Sequence, residues 1–361
     1  MDPICLVLGT RPEIIKMSPI ISRLKEREIA YYIIHTNQHY STELDSIFFQ
    51  QLELPPPDFS LDVGSGTHGE QTGKMLQRIE QIFLKSSTSF VLVQGDTNTT
   101  LAGALSASKL NIPVGHIEAG LRSHDRKMPE EINRIMTDHI ADICFVPTKN
   151  QKKILLNEGI DQSKILITGN TVVDAVFRNR SLMKEEILQT FNLQKKKYFL
   201  LTIHRQENVD DPVILQEIFD SIAEAGNIHN YDIIAPLHPR TLSKIKKAKI
   251  EVRKGISIIK PVGYFEFLAL QKNAALIITD SGGLQEESCI LKTPCVTVRE
   301  NTERPETVEV GANIIGGVRR QTILPSIEVM LQKKPNWQNP FGDGHASEKI
   351  INYIVSKIKQ G

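Results

Sequence analysis

Apolar residues arrive in short unbroken runs. Each run gives way to a longer stretch in which they recur every three or four positions. Ile4 to Leu8, Tyr31 to His35, Phe90 to Val93, Pro113 to Ile117, Ile143 to Val146 and Ile165 to Thr168 are runs of the first kind. Their near-continuous Val, Ile and Leu content predicts parallel strands buried on both faces. Glu13 to Glu28 and Thr99 to Lys109 are of the second kind and predict helices. This alternation predicts an α/β fold on a doubly wound parallel sheet. After Asn170 the rhythm changes. Thr171 to Gln194 reads as mainly helical, and Lys195-Lys196-Lys197 interrupts it as a solvated turn. A second strand series follows at Tyr198 to Ile203, Asp232 to Leu237, Ile256 to Ile259, Leu276 to Thr279, Cys295 to Val298 and Asn313 to Ile315. The expectation is two Rossmann-like domains, 1–170 and 196–345, joined by a helical connection over 171–195. Residues 346–361 should form a last helix that packs back on the first domain. Two such domains facing each other would leave a cleft between their strand ends, where open α/β proteins bind ligands.

Composition narrows the function. The 361 residues carry 43 Lys and Arg against 42 Asp and Glu, so no net field draws the chain to nucleic acid or an anionic membrane. An anionic ligand must be gripped by local groups. No apolar stretch approaches the ~18 residues of a membrane span, and no signal peptide is indicated. Cys5, Cys144, Cys289 and Cys295 sit in or beside apolar runs without Cys-x-x-Cys spacing, which reads as reduced thiols in a cytoplasmic protein. No His, Cys, Asp or Glu grouping has zinc spacing, so no metal is expected.

The candidate chemistry gathers at predicted strand exits. Gly9-Thr10-Arg11-Pro12-Glu13 follows the first strand, with Lys16 one turn on. Two cations near a helix N-terminus suit a diphosphate clamp, although a turn with two surface charges satisfies the same pattern. Asp96 follows the third predicted strand, as a cleft carboxylate or as the cap of the next helix. Glu118 leaves the neighbouring strand, and Glu130 and Glu131 open a helix at Pro129. Carboxylates there are stabilised by the helix dipole without any catalytic need. Arg122 and Arg134 read as salt-bridge partners. His204 and Arg205 occupy the second domain's counterpart of the Gly9 turn, and His238 with Arg240 marks a further strand exit. Asp280-Ser281-Gly282-Gly283 is the clearest phosphate reader, because two glycines let backbone N–H groups approach an anion. Glu287 lies one to two turns on, able to accept from a ribose diol; Ser281 as an ordinary helix cap is the alternative. Arg304 before Pro305 can grip an oxyanion bidentately.

Taken in order, these residues resemble the non-hydrolysing UDP-N-acetylglucosamine 2-epimerase family. The matching motifs are Gly9-Thr-Arg-Pro-Glu13, Gln38-His39, Gly95-Asp-Thr97, Glu118-Ala-Gly-Leu-Arg122, Pro129-Glu-Glu131, Gly169-Asn-Thr-Val-Val-Asp174, His204-Arg205, Ser281-Gly-Gly283 with Glu286-Glu287, and Thr302-Glu-Arg-Pro-Glu306. The resemblance implies the glycosyltransferase-B arrangement and a homodimer. It implies that Arg11, Lys16, His204, Ser281, Glu287 and Arg304 contact UDP, with Phe267, Gly282 and Gly283 completing the set. It implies that Asp96, Glu118 and Glu130 are catalytic carboxylates, with His204 beside them. Gln38, His39, Gln71 and Arg205, together with His238, match an activating second-substrate site of some bacterial members. The loop from Arg122 to Pro129 is shorter than in many of those, and Gln206 stands where many have Arg. The short form is also similar to relatives acting on UDP-2,3-diacetamido sugars.

The reaction so implied is reversible C2 epimerisation of UDP-N-acetylglucosamine to UDP-N-acetylmannosamine, feeding polysaccharide or glycan synthesis. UDP would leave to give a 2-acetamidoglucal and then re-add, with no cofactor. A hydrolysing epimerase, a glycosyltransferase and a non-catalytic nucleotide-sugar binding protein are the rivals.

Overall fold

The computed structural model describes residues 2–38, 42–237 and 239–359. The chain divides into two compact units, Met1–Arg178 with Phe341–Gly361, and Asn179–Pro340.

The first unit holds β1 (Ile4–Leu8), β2 (Tyr31–His35), β3 (Phe59–Ser60), β4 (Phe90–Gln94), β5 (Val114–Ile117), β6 (Ile143–Val146) and β7 (Ile165–Ile167). They form one sheet in the order β3-β2-β1-β4-β5-β6-β7, every pair parallel. β1, β4, β5 and β6 are buried along their whole length, as unbroken apolar runs require. β3 was not foreseen: it is two residues long, both exposed, and carries no periodicity to read. The second unit holds β8 (Tyr198–Thr202), β9 (Asp232–Pro236), β10 (Ile256–Ile259), β11 (Leu276–Thr279), β12 (Cys295–Thr297) and β13 (Asn313–Ile315), in the parallel order β10-β9-β8-β11-β12-β13. The α/β expectation of two doubly wound parallel sheets holds.

In both sheets the winding reverses once, between β1 and β4 in the first and between β8 and β11 in the second. A crevice opens at the carboxyl ends of the strands on either side of such a reversal. Gly9 and Gly95 flank the first reversal; His204 and Asp280 flank the second.

The end of the chain returns to the first unit. The helix Ala346–Ile358 packs on the helix Arg11–Glu26. Its first turn is gripped by Asp174, whose carboxylate accepts from Ala346 N (3.2 Å), Ser347 N (2.8 Å) and Ser347 Oγ (2.6 Å). Tyr353 meets Phe145 of β6 edge to face at 5.7 Å. All four cysteines are free and buried, and burial pushes Cys289 and Cys295 up to about 12.

Candidate active site

At the first reversal, a carboxylate not singled out from the sequence joins the two turns. Glu13 stands in the first helical turn after β1 and is 1% exposed. Its Oε2 accepts from Gly9 N (2.9 Å) and Thr10 Oγ1 (2.8 Å), and its Oε1 from Thr97 Oγ1 (2.7 Å) and Thr100 Oγ1 (3.2 Å). Burial pushes its pKa up against the pull of these donors. The turn must start with glycine, because a Cβ on Gly9 would overlap the hydroxyls of Thr36 and Thr99.

Glu118 follows β5, whose Ile117 pairs in register with Gln94. Its side chain is 3% exposed. Oε1 accepts from Lys16 Nζ at 2.6 Å and Asn170 Nδ2 at 3.3 Å, and Oε2 accepts from Gln94 Nε2. Its φ is +70°, a left-handed conformation costing a residue with Cβ roughly 1–2 kcal/mol. Strain of this kind persists where surroundings over-determine it and clusters at active sites.

Asp96 follows Gly95, whose φ is +79°. It does not cap the next helix; Thr97 does, accepting from Thr100 N at 3.2 Å. Instead Asp96 Oδ2 accepts from Arg134 Nη2 at 2.6 Å and Nε at 3.0 Å. Its side chain remains 29% exposed, so a ligand can reach it. The third Arg134 nitrogen, Nη1, donates to Glu131 Oε2 at 2.6 Å. Glu131 also accepts from Ser123 N and His124 N, each at 2.9 Å, and so fixes the loop between β5 and the helix Pro129–Ile140. The adjacent acids thus divide: Glu131 is buried and structural, Glu130 half-buried.

Behind this loop His116 of β5 is fully buried. Its Nδ1 lies 2.7 Å from Asp138 Oδ1 and its Nε2 lies 2.8 Å from Gly95 O, both acceptors. Asp138 also accepts from Arg122 Nη1 at 2.7 Å, and Arg122 bonds Glu158 through Nε and Nη2. Arg122 and Arg134 are the ion-pair partners their sequence context suggested. Burial alone would raise Asp138, but the charges of His116 and Arg122 outweigh it and hold its pKa down. Glu131 is likewise held down, burial being outweighed by Ser123 N and Arg134. A depressed carboxylate contributes stability that is present above its unfolded pKa and lost as pH falls through the folded value. Thermal stability should therefore drop below about pH 4. The drop should be shallower in Glu131→Gln, and calorimetry showing parallel profiles for the two proteins would refute the assignment.

Arg11 lies with its guanidinium carbon 5.4 Å from the Phe48 ring centroid. Gln38 and Gln71 join the network around Asp96. Gln71 Nε2 donates to Gly64 O (2.7 Å) and Gln38 O (3.2 Å), and Gln38 Oε1 accepts from Thr99 Oγ1 (3.0 Å). Gln71 Oε1 accepts from Asn98, which accepts from Asn133, which donates to Asp96 O at 3.0 Å. His39 and His238 lie outside the described residues.

In the second unit, Ser281 precedes the helix Gly282–Ile290 but its side chain makes no capping bond. Ser281 therefore holds the N-cap position through its carbonyl, which accepts from Gln285 N, without a side-chain cap. The Arg304 guanidinium lies beside Gly282: a Cβ built there would sit 3.8 Å from Arg304 Cζ. Arg304 is buried, and its Nε bonds Glu286 Oε1 at 2.5 Å. A helix N-terminus and a fixed guanidinium therefore share one position, a combination suited to an oxyanion. Glu287 accepts from Gln271 Nε2 at 2.7 Å. Phe267 packs against the cluster that includes Tyr198, Leu200 and Leu270. Arg205 Nη2 stands 3.9 Å from Glu303 Oε1. His204 is exposed at the second reversal, its Nδ1 3.0 Å from Asp280 Oδ1. Among the described residues no group of three or more His, Cys, Asp or Glu could hold a metal ion, and no helix is long and apolar enough to cross a membrane.

A family model described as UDP-N-acetylglucosamine 2-epimerase matches residues 22–355. A Methanocaldococcus jannaschii protein named UDP-N-acetylglucosamine 2-epimerase is 55% identical, over 97% of this chain and 98% of its own. A crystal structure of the M. jannaschii UDP-GlcNAc 2-epimerase, in complex with UDP-GlcNAc and UDP, superposes with a TM-score of 0.93 at 54% identity. That match covers 98% of this chain and 99% of that one. A Pseudomonas aeruginosa UDP-2,3-diacetamido-2,3-dideoxy-D-glucuronate 2-epimerase is 41% identical, over 98% of this chain and 99% of its own.

Proposed function

The chain belongs to the UDP-N-acetylglucosamine 2-epimerase family, and on that premise we propose that it interconverts UDP-N-acetylglucosamine and UDP-N-acetylmannosamine by eliminating and re-adding UDP. The observation that carries the reading is the pair of carboxylates at the first reversal, Glu118 on Lys16 and Asp96 on Arg134. The higher identity to the relative named for N-acetylglucosamine than to the one named for the diacetamido sugar favours the former substrate.

The C2 proton of the sugar is not next to a carbonyl, so a carboxylate cannot remove it unaided. Breaking the C1–O bond, first or in concert, builds positive charge at C1 and acidifies C2. UDP departs, a 2-acetamidoglucal forms, and protonation on the opposite face precedes return of UDP. The step needs acid and base groups on both faces of the ring, each worth ~10²–10⁴-fold. Asp96, Glu118 and Glu130 are assigned to that task. It also needs a retained, stabilised diphosphate, where each preorganised donor is worth ~3 kcal/mol. Arg11, His204, the Ser281–Gly283 turn and Arg304 are assigned there. The same reading carries a cytoplasmic homodimer, for which light scattering should give twice the chain mass.

The test is NMR of UDP-N-acetylglucosamine with the protein in D₂O. The expected result is a second UDP-sugar with deuterium at C2 in both epimers. Interconversion without label at C2 would reject proton exchange there. Free N-acetylmannosamine would indicate a hydrolysing enzyme instead.

A further inference from the structure

We infer that Asp280 is a positioning residue for this reaction: it commits Nδ1 of His204, so that Nε2 can donate to the diphosphate only from an imidazolium. The inference rests on the UDP-sugar reading above. Asp280 ends β11 at the second reversal and is completely buried. Its Oδ2 accepts from His204 N (3.0 Å), Arg205 N (2.9 Å) and Asn208 Nδ2 (3.1 Å). Its Oδ1 accepts from His204 N (3.1 Å) and faces His204 Nδ1 at 3.0 Å. Donors on both oxygens fix the plane of the carboxylate, and the same turn that supplies them carries the ring. Buried carboxylate and exposed ring are therefore set as one piece: the His204 side chain is 49% exposed, that of Asp280 0%.

An ionised carboxylate only accepts, so a ring nitrogen held 3.0 Å from it is favoured in its protonated form, which places the ring proton on Nδ1. Nε2 is then the nitrogen offered to a ligand. A neutral ring with its proton on Nδ1 presents a lone pair there, which a diphosphate oxygen repels. A hydrogen bond to the departing diphosphate requires protons on both nitrogens, and the buried anion balances the resulting cation. Among the described residues other charged groups pack around this turn, and Arg299 also feels the charge of Asp280. Arg299 bonds Glu303 at 2.9 and 3.0 Å and lies 3.5 Å from Glu207, and Arg205 faces Glu303. Burial alone would raise the Asp280 pKa, but His204 and the turn's N–H donors outweigh it and hold it down.

The experiment is ¹⁵N NMR of histidine-labelled protein, with the His204 ring assigned by its absence from His204→Gln. In nucleotide-free protein, at a pH where the ring is neutral, the proton should sit on Nδ1. With saturating UDP both ring nitrogens should be protonated. In Asp280→Asn the amide can donate to a bare Nδ1, so the UDP complex should hold a neutral ring protonated on Nε2. Turnover of that variant should fall roughly 10²-fold with KM little changed. A nucleotide-free wild-type ring protonated on Nε2, or a neutral ring in its UDP complex, overturns the inference, and both measurements stand even if Asp280→Asn does not fold. If UDP perturbs no histidine resonance, the UDP-sugar reading is what fails, and the nucleotide-free tautomer still judges Asp280.

Discussion

Glu118→Gln should abolish epimerisation, with kcat falling by at least roughly 10²–10⁴-fold, the worth of a positioned acid or base, while UDP still raises the melting temperature. Three donors, from Lys16, Asn170 and Gln94, converge on two carboxylate oxygens. An amide offers one oxygen, so the variant turns an N–H₂ group toward a buried donor and also removes the charge paired with Lys16. Some stability loss is therefore expected alongside the catalytic one, and a loss of fold could be mistaken for a loss of chemistry. The backbone separates the two. Position 118 has φ +70°, where glycine escapes the roughly 1–2 kcal/mol cost that a residue with Cβ bears. Glu118→Gly should unfold at a higher temperature than Glu118→Ala, and both should be inactive. Near-normal turnover in any of the three variants would remove Glu118 from the reaction.

The sequence was most informative where a single segment decides the structure. Runs such as Phe90 to Val93 and Leu276 to Thr279 are long and apolar enough to be buried strands whatever surrounds them, and they are. β3 escaped because two exposed residues carry no pattern; it exists only by pairing with β2. At the site, residue types and strand-exit positions were legible, but partners were not. Lys16 reads as a phosphate cation beside a helix start; it lies on Glu118, 102 residues away. Asp96 beside a helix start reads as a cleft carboxylate or as a cap; Thr97 takes the cap, and the aspartate bonds Arg134. Glu130 and Glu131 are indistinguishable in sequence, and only the loop amides of Ser123 and His124 select Glu131. Glu13 had a signal that was present and unused: it is an acid in the first turn of a helix, where backbone N–H groups need an acceptor. Asp280 had none, because the N–H groups it accepts, those of His204 and Arg205, lie 76 and 75 residues away.

The sharpest separation of scaffold from chemistry comes from Arg134. Arg134→Met should lower both stability and rate, whereas Asp96→Asn should lower the rate alone. The guanidinium bridges a carboxylate that a ligand can reach, Asp96, and one that it cannot, Glu131, whose side chain is 1% exposed. Breaking the buried Arg134–Glu131 pair leaves a carboxylate that also anchors the loop after β5, and such losses run to ~3–5 kcal/mol. For a unit of this size that is a fall in melting temperature on the order of 10 °C. Asp96→Asn keeps an oxygen that accepts from Arg134, and Arg134 keeps Glu131, so the loop and the fold persist. What the amide lacks is the charge and proton affinity that catalysis asks of Asp96. Scanning calorimetry and turnover on the two variants therefore give a two-by-two outcome. If Asp96→Asn melts as early as Arg134→Met, the aspartate is a strut of the scaffold. If it melts like the parent and still turns over, the acid–base assignment at the first reversal falls with it.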